Sequence, residues 1–287
     1  MSYVFNLISK MTNLLQISQT IFKTRIHVAI ICFFLYHNIL YYYLGNNAEP
    51  IHLIVLLAFA IWNLALYLFD RAYDYNKDLI TDAKDALNIR QAQWGIKIAI
   101  TLTFFPIILL FYFQYPIIPY LCFVPLTFLY TLPLTKHNIR VKNLFLIKNL
   151  YSALFIWTLP LVVILRYYQG FPQSIPQLLF ENYYFLVFVL MGEIIWDFKD
   201  VEADKVHKVQ TLPVVLGFPA TRIILLLLLI ANCTAFYLQT GYINYPVILF
   251  FLLFIFFATE TTPVWCYHLP LLLVIADNVW KFIQFRG

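Results

Sequence analysis

Charge is the scarcest ingredient of this sequence. Only 11% of its 287 residues are Asp, Glu, Lys or Arg, against about 25% in a soluble globular domain. With 62% hydrophobic residues beside it, that scarcity excludes a soluble protein and leaves no stretch for a separate soluble domain. Cysteine is also sparse: Cys32, Cys122, Cys233 and Cys266 stand singly in apolar runs, with no CxxC pair. This argues against disulfides and thiolate metal sites, and buried, inert thiols are expected. The six histidines show no ligand spacing. No ten-residue alternation of polar and apolar residues occurs, which excludes a transmembrane barrel. The first 25 residues lack the compact apolar core and small-residue cleavage site of a signal peptide. The net charge of +5 carries no nucleic-acid signature.

What remains is apolar and helical. Nine apolar runs follow one another, at 27–44, 51–69, 94–114, 120–132, 148–165, 183–196, 221–238, 245–259 and 265–282. They predict an all-α integral membrane protein with nine transmembrane helices in one domain over 26–287. The segment 1–25 precedes it, with Leu7, Ile8, Met11, Leu14, Leu15 and Ile17 forming either an interfacial amphipathic helix or a loose tail. Pro125, Pro160, Pro213 and Pro270 are expected to kink the spans that hold them. Lys and Arg concentrate in alternate connections: 71–97, 136–148 and 199–222, together with Lys10, Lys23 and Arg25. By the positive-inside rule the N-terminus and these connections face the cytoplasm.

The few carboxylates are not scattered. Of nine aspartates, eight fall in two places, and only Asp277 lies elsewhere. The first stretch reads Asp70-Arg71-Ala72-Tyr73-Asp74-Tyr75-Asn76-Lys77-Asp78, followed by Asp82 and Asp85. The second reads Asp197-Phe198-Lys199-Asp200-Val201-Glu202-Ala203-Asp204. Residues four apart on a helix advance by ~400°, so Asp70, Asp74 and Asp78 form one stripe. Asp197, Asp200 and Asp204, spaced three and then four, form another. A row of like charges repels itself unless something positive lies against it. Hard oxygen ligands at this density suit Mg²⁺, which completes its shell with water and phosphate oxygens. Two facing rows would hold a diphosphate through bridging metals. The plain alternative is a pair of solvated loops, which the concentration of aspartate disfavours. Asn63 and Glu193 lie inside spans, where a polar group marks either function or a hydrogen bond to a neighbouring helix. Asp277 and Asn278 in the last run are read as packing or pore-edge residues.

On these residues the chain resembles the UbiA superfamily of intramembrane prenyltransferases. That family's first motif is commonly Asn-Asp-x-x-Asp-x-x-x-Asp. Here Asp70 takes the asparagine place and Arg71 the first aspartate place, while Asp74 and Asp78 match. Asp200-x-x-x-Asp204, preceded by Asp197 and followed by Thr211-Leu212-Pro213-Val214-Val215-Leu216-Gly217, resembles the second motif and its tail. Tyr130-Thr131-Leu132-Pro133-Leu134-Thr135-Lys136 is similar to the segment whose lysine contacts diphosphate, and Lys148-Asn149-Leu150 to the start of the fifth helix.

The resemblance implies nine helices around a central cavity. It also implies Mg²⁺-dependent transfer of an isoprenoid group from a prenyl diphosphate to a small aromatic acceptor of quinone-precursor type. Asp70, Asp74, Asp200 and Asp204 are the expected metal ligands. Lys136, Arg25, Arg71 and Lys199 are the expected diphosphate contacts, and Asp78, Asp197 and Lys136 the expected catalytic residues. Arg71 cannot ligate a cation, which keeps open a terpene cyclase or transfer to a non-aromatic acceptor. A cation-coupled transporter is the rival from another class. It would place its ionisable residues near mid-membrane rather than at span ends. The expected location is a bacterial or archaeal inner membrane, in contact with the lipid bilayer and with no nucleic acid as partner.

Overall fold

A computed structural model describes residues 25–44, 52–76, 86–134, 140–241, 245–262 and 266–267. Every regular element among them is helical. In chain order they are α1 (Ile26–Leu44), α2 (Leu53–Tyr73), α3 (Ile89–Tyr112), and two short helices, α4 (Ile118–Leu121) and α5 (Val124–Leu129). After a 3₁₀ turn at Val141–Asn143 come α6 (Ile147–Tyr168), α7 (Ile175–Glu181), α8 (Tyr183–Trp196), α9 (Val201–Val206), α10 (Leu212–Thr240) and α11 (Tyr245–Phe257). Four of these, α2, α3, α6 and α10, are long and apolar enough to cross a membrane. The pair α7–α8, bent by 65° between its halves, makes up to five. Shorter apolar helices occupy Ile26–Tyr41, Ile118–Leu129 and Val247–Phe257. The expected ninth run, 265–282, lies almost wholly outside the described residues, as do Asp277, Asn278, Pro270 and the segment 1–24.

Proline and glycine act where backbone geometry lets them. Pro119 and Pro125 stand in the first turns of α4 and α5, so the run at 120–132 is two short helices instead of one. Pro213 also sits in a first turn, where its missing N–H costs nothing, and it does not kink α10. The break in α10 is at Gly217, whose φ of 76° only glycine adopts without strain. Inside α6, Ser152–Thr158 and Ile164–Tyr168 are π-helical, with Pro160 opening the α-helical piece between them.

Each break strands backbone carbonyls that lipid cannot hydrogen-bond. Aromatic side chains take them up. The Trp62 indole donates to the Phe123 carbonyl (3.1 Å) and the Thr127 hydroxyl (3.0 Å), at the junction of α4 and α5. The Tyr36 hydroxyl donates to the Trp157 carbonyl (2.8 Å) in the π-helical run. The Tyr120 hydroxyl donates to the Thr103 carbonyl inside α3, and the Tyr168 hydroxyl to the Pro116 carbonyl in the connection before α4, both at 2.8 Å.

Two apolar cores result. One gathers α1, α2, α4, α5 and α6 around Tyr36, Phe59, Trp62 and Phe123. The other gathers α8, α10 and α11 around Met191, Ile194, Leu225 and Ile255. The outward faces of α3, α10 and α11 carry exposed Ile108, Phe111, Leu227, Leu238 and Leu249, an exterior matched to lipid. Of the four unpaired cysteines only Cys32 is buried; Cys122 lies on the exposed face of the α4 break, contrary to expectation.

The α2–α3 contact positions the first acidic stretch. At Gly95 it is tight: an added Cβ would stand 2.9 Å from the Cβ of Ala72. Between membrane helices such contacts rest on small residues and van der Waals packing. Gly95→Val should therefore force α3 away from the end of α2 that bears Asp70 and Asp74. The expected destabilisation is about 1–3 kcal/mol, read as a lowered unfolding temperature in detergent, with Gly95→Ala milder.

Candidate active site

The first acidic row rides the last turn of α2. Asn63, Tyr67, Asp70 and Asp74 advance by steps of four, three and four, so they share one face of the helix. Asp74 is the C-cap residue, its N–H bonded to the Asp70 carbonyl at 3.0 Å. Positive groups lie against the row. Arg140 Nη1 meets Asp74 Oδ1 at 2.6 Å, and Lys142 Nζ meets Asp74 Oδ2 at 2.6 Å. Lys142 also bonds Asp70 Oδ1, which receives the Thr131 hydroxyl at 2.8 Å. The Arg140 guanidinium lies 5.1 Å from the Tyr73 ring centre and Lys142 Nζ 5.9 Å from that of Tyr130. Burial pulls the Lys142 ammonium toward neutrality, but Asp70 and Asp74 outweigh it and hold the group above its ordinary value.

The second row spans the end of α8 and the start of α9. Asp197, the C-cap of α8, is 2% exposed and doubly held: Lys148 Nζ reaches Oδ1 at 2.6 Å and Asn149 Nδ2 donates to Oδ2 at 2.9 Å. Asp200, the N-cap of α9, is the more exposed member and pairs with Lys199 at 3.0 Å. Asp204 is the unsatisfied one. Its Oδ2 is buried without a hydrogen-bond partner among the described residues, 3.9 Å from Lys148 Nζ. Burial, against the pull of Lys148, lifts its carboxyl to about 7. Such an orphaned oxygen in a row of hard ligands is where a divalent cation fits.

The two rows converge. Tyr67 of α2 donates to Glu193 Oε1 of α8 at 3.4 Å, three residues before Asp70 and four before Asp197 respectively. Lys142, which holds Asp70 and Asp74, lies over the ring of Tyr130 at the end of α5, and Lys148 and Asn149, which hold Asp197, precede Tyr151 within one turn of α6. The Tyr130 ring stacks on Tyr151 (5.5 Å between centres), which in turn meets Phe155 at 5.1 Å. These rings make an aromatic wall leading inward from the charged end.

Other expected residues are placed differently. Arg71 lies in the last turn of α2 but ~100° around the helix from Asp70, off the stripe. Lys199 stacks over Trp196 (5.4 Å) and pairs with Asp200. Arg25 opens α1 in a left-handed conformation (φ 62°), close enough for its charge to bear on the Tyr67 hydroxyl. Asp78 and Lys136 lie outside the described residues. No group of three metal-binding side chains stands ready for a cation among the described residues, because lysine and arginine hold the carboxylates instead.

Arg140, Lys142, Lys148, Asn149, Thr131 and Tyr130 are the members that sequence reasoning gave no role at the carboxylates. A usable signal existed: a self-repelling acidic stripe needs cations, and the connection 136–148 holds four basic residues and no acidic one.

The model of the UbiA prenyltransferase family matches residues 24–269. The chain belongs to that family. Among solved structures, it is similar to a UbiA homologue from Archaeoglobus fulgidus bound to DMAPP and Mg²⁺, with TM-score 0.64 and 15% identity over 90% of this chain and 96% of that one. It is also similar to the apo UbiA homologue from Aeropyrum pernix, with TM-score 0.59 and 17% identity over 90% and 98%. No curated protein matches the chain in sequence. The helices that carry the two motifs touch where the Tyr67 hydroxyl of α2 donates to Glu193 Oε1 of α8 at 3.4 Å, across more than a hundred residues of sequence.

Proposed function

We propose that this protein transfers an isoprenoid group from a prenyl diphosphate to an aromatic acceptor of quinone-precursor type, with Mg²⁺ as cofactor. The observation that carries the reading is the pair of carboxylate rows, each held by facing cations, on helices that touch through Tyr67 and Glu193. The Archaeoglobus homologue, solved with DMAPP and with GPP beside Mg²⁺, supports it.

Asp70 and Asp74 from α2, with Asp200 and Asp204 from α9, would hold the metal, and Asp204 Oδ2 has no competing bond to give up. Bound Mg²⁺ would neutralise diphosphate charge. Asp70 and Asp74, turned to the metal, would free Arg140 and Lys142 for the diphosphate oxygens, where charge develops as the bond breaks. Lys136, Arg25, Arg71 and Lys199 are further candidates for that role. The allylic C–O bond breaks with its electron pair leaving on the diphosphate. The allylic cation then forms a C–C bond to the acceptor ring, and the proton lost from that carbon passes to a basic diphosphate oxygen. Tyr130, Tyr151 and Phe155 offer ring faces to the cation and exclude water. Asp197, held by Lys148 and Asn149, fixes the lysine in place, and Asp78 remains a candidate for acceptor orientation. The basic connections support a cytoplasmic orientation for this end, in what we read as a bacterial or archaeal inner membrane.

The test is purified protein in lipid with Mg²⁺ and farnesyl or geranylgeranyl diphosphate, with and without hydroxylated aromatics. Diphosphate release coupled to a prenylated aromatic product is expected, and removal of Mg²⁺ by chelation should abolish it. Diphosphate release giving a hydrocarbon without any acceptor would make the protein a cyclase. Inertness across chain lengths would overturn the reading.

A further inference from the structure

The two carboxylate rows differ in what already holds them. In the second row the Asp200 side chain is 41% exposed and pairs with its neighbour Lys199, while Asp204 Oδ2 has no hydrogen-bond partner among the described residues. A half-exposed pair of this kind is worth little, so a cation reaches that row without breaking a strong contact. The first row is closed. Arg140 Nη1 lies 2.6 Å from Asp74 Oδ1, and Lys142 Nζ bridges Asp74 Oδ2, at 2.6 Å, and Asp70 Oδ1. Two positive groups thus cancel two carboxylates and take three of their four oxygens, the hard ligands a divalent ion would use.

Both cations come from one short piece of backbone. Arg140 is the N-cap of the 3₁₀ turn Val141–Asn143, which carries Lys142. The turn closes on itself: the Asn143 N–H donates to the Arg140 carbonyl at 3.1 Å, and the Leu144 N–H to the Val141 carbonyl at 3.2 Å. Leu146, left-handed at φ 60°, sets it off from α6. The ion pairs tie this strap to α2, together with the Tyr73 ring, whose centre is 5.1 Å from the Arg140 guanidinium.

A divalent cation alone gains little from such a neutral cluster. It must expel one or both groups, and an expelled charge in a partly buried site is costly unless it is paired again. A diphosphate changes the balance. Its oxygens match the guanidinium fork and accept the ammonium, so the strap's cations leave the carboxylates without becoming unpaired. We propose that Arg140 and Lys142 hold the place of a divalent cation at Asp70 and Asp74 and yield it only to a diphosphate, so that metal and diphosphate load the first row together. The inference rests on the prenyl-transfer reading above and adds how that site is filled at rest.

The test reads metal binding without turnover, on the full chain in lipid nanodiscs, with Mn²⁺ followed by its EPR signal. Without diphosphate, Lys142→Met should bind Mn²⁺ at least about tenfold more tightly than the unaltered protein. Adding Asp74→Asn to that variant should erase the gain, because the uncovered carboxylate is then gone. Affinity for an unreactive farnesyl thiodiphosphate, measured with Mn²⁺ present, should fall at least about tenfold in Lys142→Met. Opposite shifts mark an exchange of partners, whereas simple damage would weaken both. Arg140→Gln should show the same pair of shifts, and it carries the test if Lys142→Met does not fold. Unchanged or weaker Mn²⁺ binding in these variants, a gain that survives Asp74→Asn, or undiminished thiodiphosphate binding overturns the proposal. Absence of thiodiphosphate binding by the unaltered protein, beside a Mn²⁺ gain in the variants, overturns the transfer reading and not the place-holding by Arg140 and Lys142.

Discussion

Asp204→Asn should abolish turnover while leaving the metal-free fold slightly more stable. Metal-dependent diphosphate release is expected to fall by about 10²–10³-fold, the scale seen when one preorganised charge-stabilising group is removed. The stability gain follows from the same carboxylate. Burial raises it from 3.8 to about 7, so the folded state binds its proton more tightly than the unfolded chain. Its ionisation therefore destabilises the fold progressively between those two values. The cost is absent below pH about 4 and fully present above about 7. Asparagine removes it. Unfolding temperatures of the two proteins, measured in detergent without Mg²⁺, should coincide in acid and separate in favour of the variant near pH 8. A variant that loses both activity and stability at pH 8 would place Asp204 in the structural scaffold and not in the metal site.

Lys148→Met should be the most damaging single change at the charged end. The ammonium stands between Asp197 at 2.6 Å and Asp204 at 3.9 Å, with its side chain 19% exposed. Removing it leaves Asp197, almost fully buried, with only the Asn149 amide. Breaking a buried ion pair from one side costs about 3–5 kcal/mol, because the surviving charge has lost its partner. Lys148→Met combined with Asp197→Asn should recover most of that loss, as the pair is then replaced by neutral groups. Unfolding of the two single variants and the double variant measures the coupling. Equal losses in Lys148→Met and the double variant would mean that the lysine stem, through packing, and not its charge, carries the effect.

The helical class and the Asp70–Asp74 part of the first stripe were legible in the sequence because both depend on local spacing. Asp197, Asp200 and Asp204, by contrast, do not form one helix face, since the chain breaks between α8 and α9 at Asp197–Asp200. An apolar run of eighteen residues has few other readings, and carboxylates four apart share a face wherever the helix ends. Proline behaved less simply. Pro213 reads as a kink from its neighbourhood, yet its place in the first turn of α10 makes it harmless, while Gly217 bends the chain. The partners of the stripes were illegible for a different reason. Which cation meets Asp74 depends on how the connection after α5 folds back, and no periodicity encodes that. Arg140 and Lys142 were read as markers of orientation, and Lys136 was preferred by resemblance. Glu193 was visible as an anomaly, but its donors come from α2 and α6, and the π-helical turn that brings Ser152 and Trp157 to one side leaves no trace in composition.

The aromatic wealth of this chain has a use beyond filling space. Phenylalanine and tyrosine are alike in bulk, and the chain holds 28 of the first and 21 of the second. At Tyr36 the ring delivers a hydroxyl to a carbonyl of the π-helical run in α6, and at Tyr120 and Tyr168 to carbonyls of α3 and of the connection before α4. In a water-soluble protein such carbonyls would turn to solvent. Here the protein carries its own substitute for water, anchored at fixed points and unable to diffuse. That internal solvation lets α4, α5 and α6 depart from ideal helices at membrane depth, and those departures give the interior polar contours that a bundle of straight helices would lack.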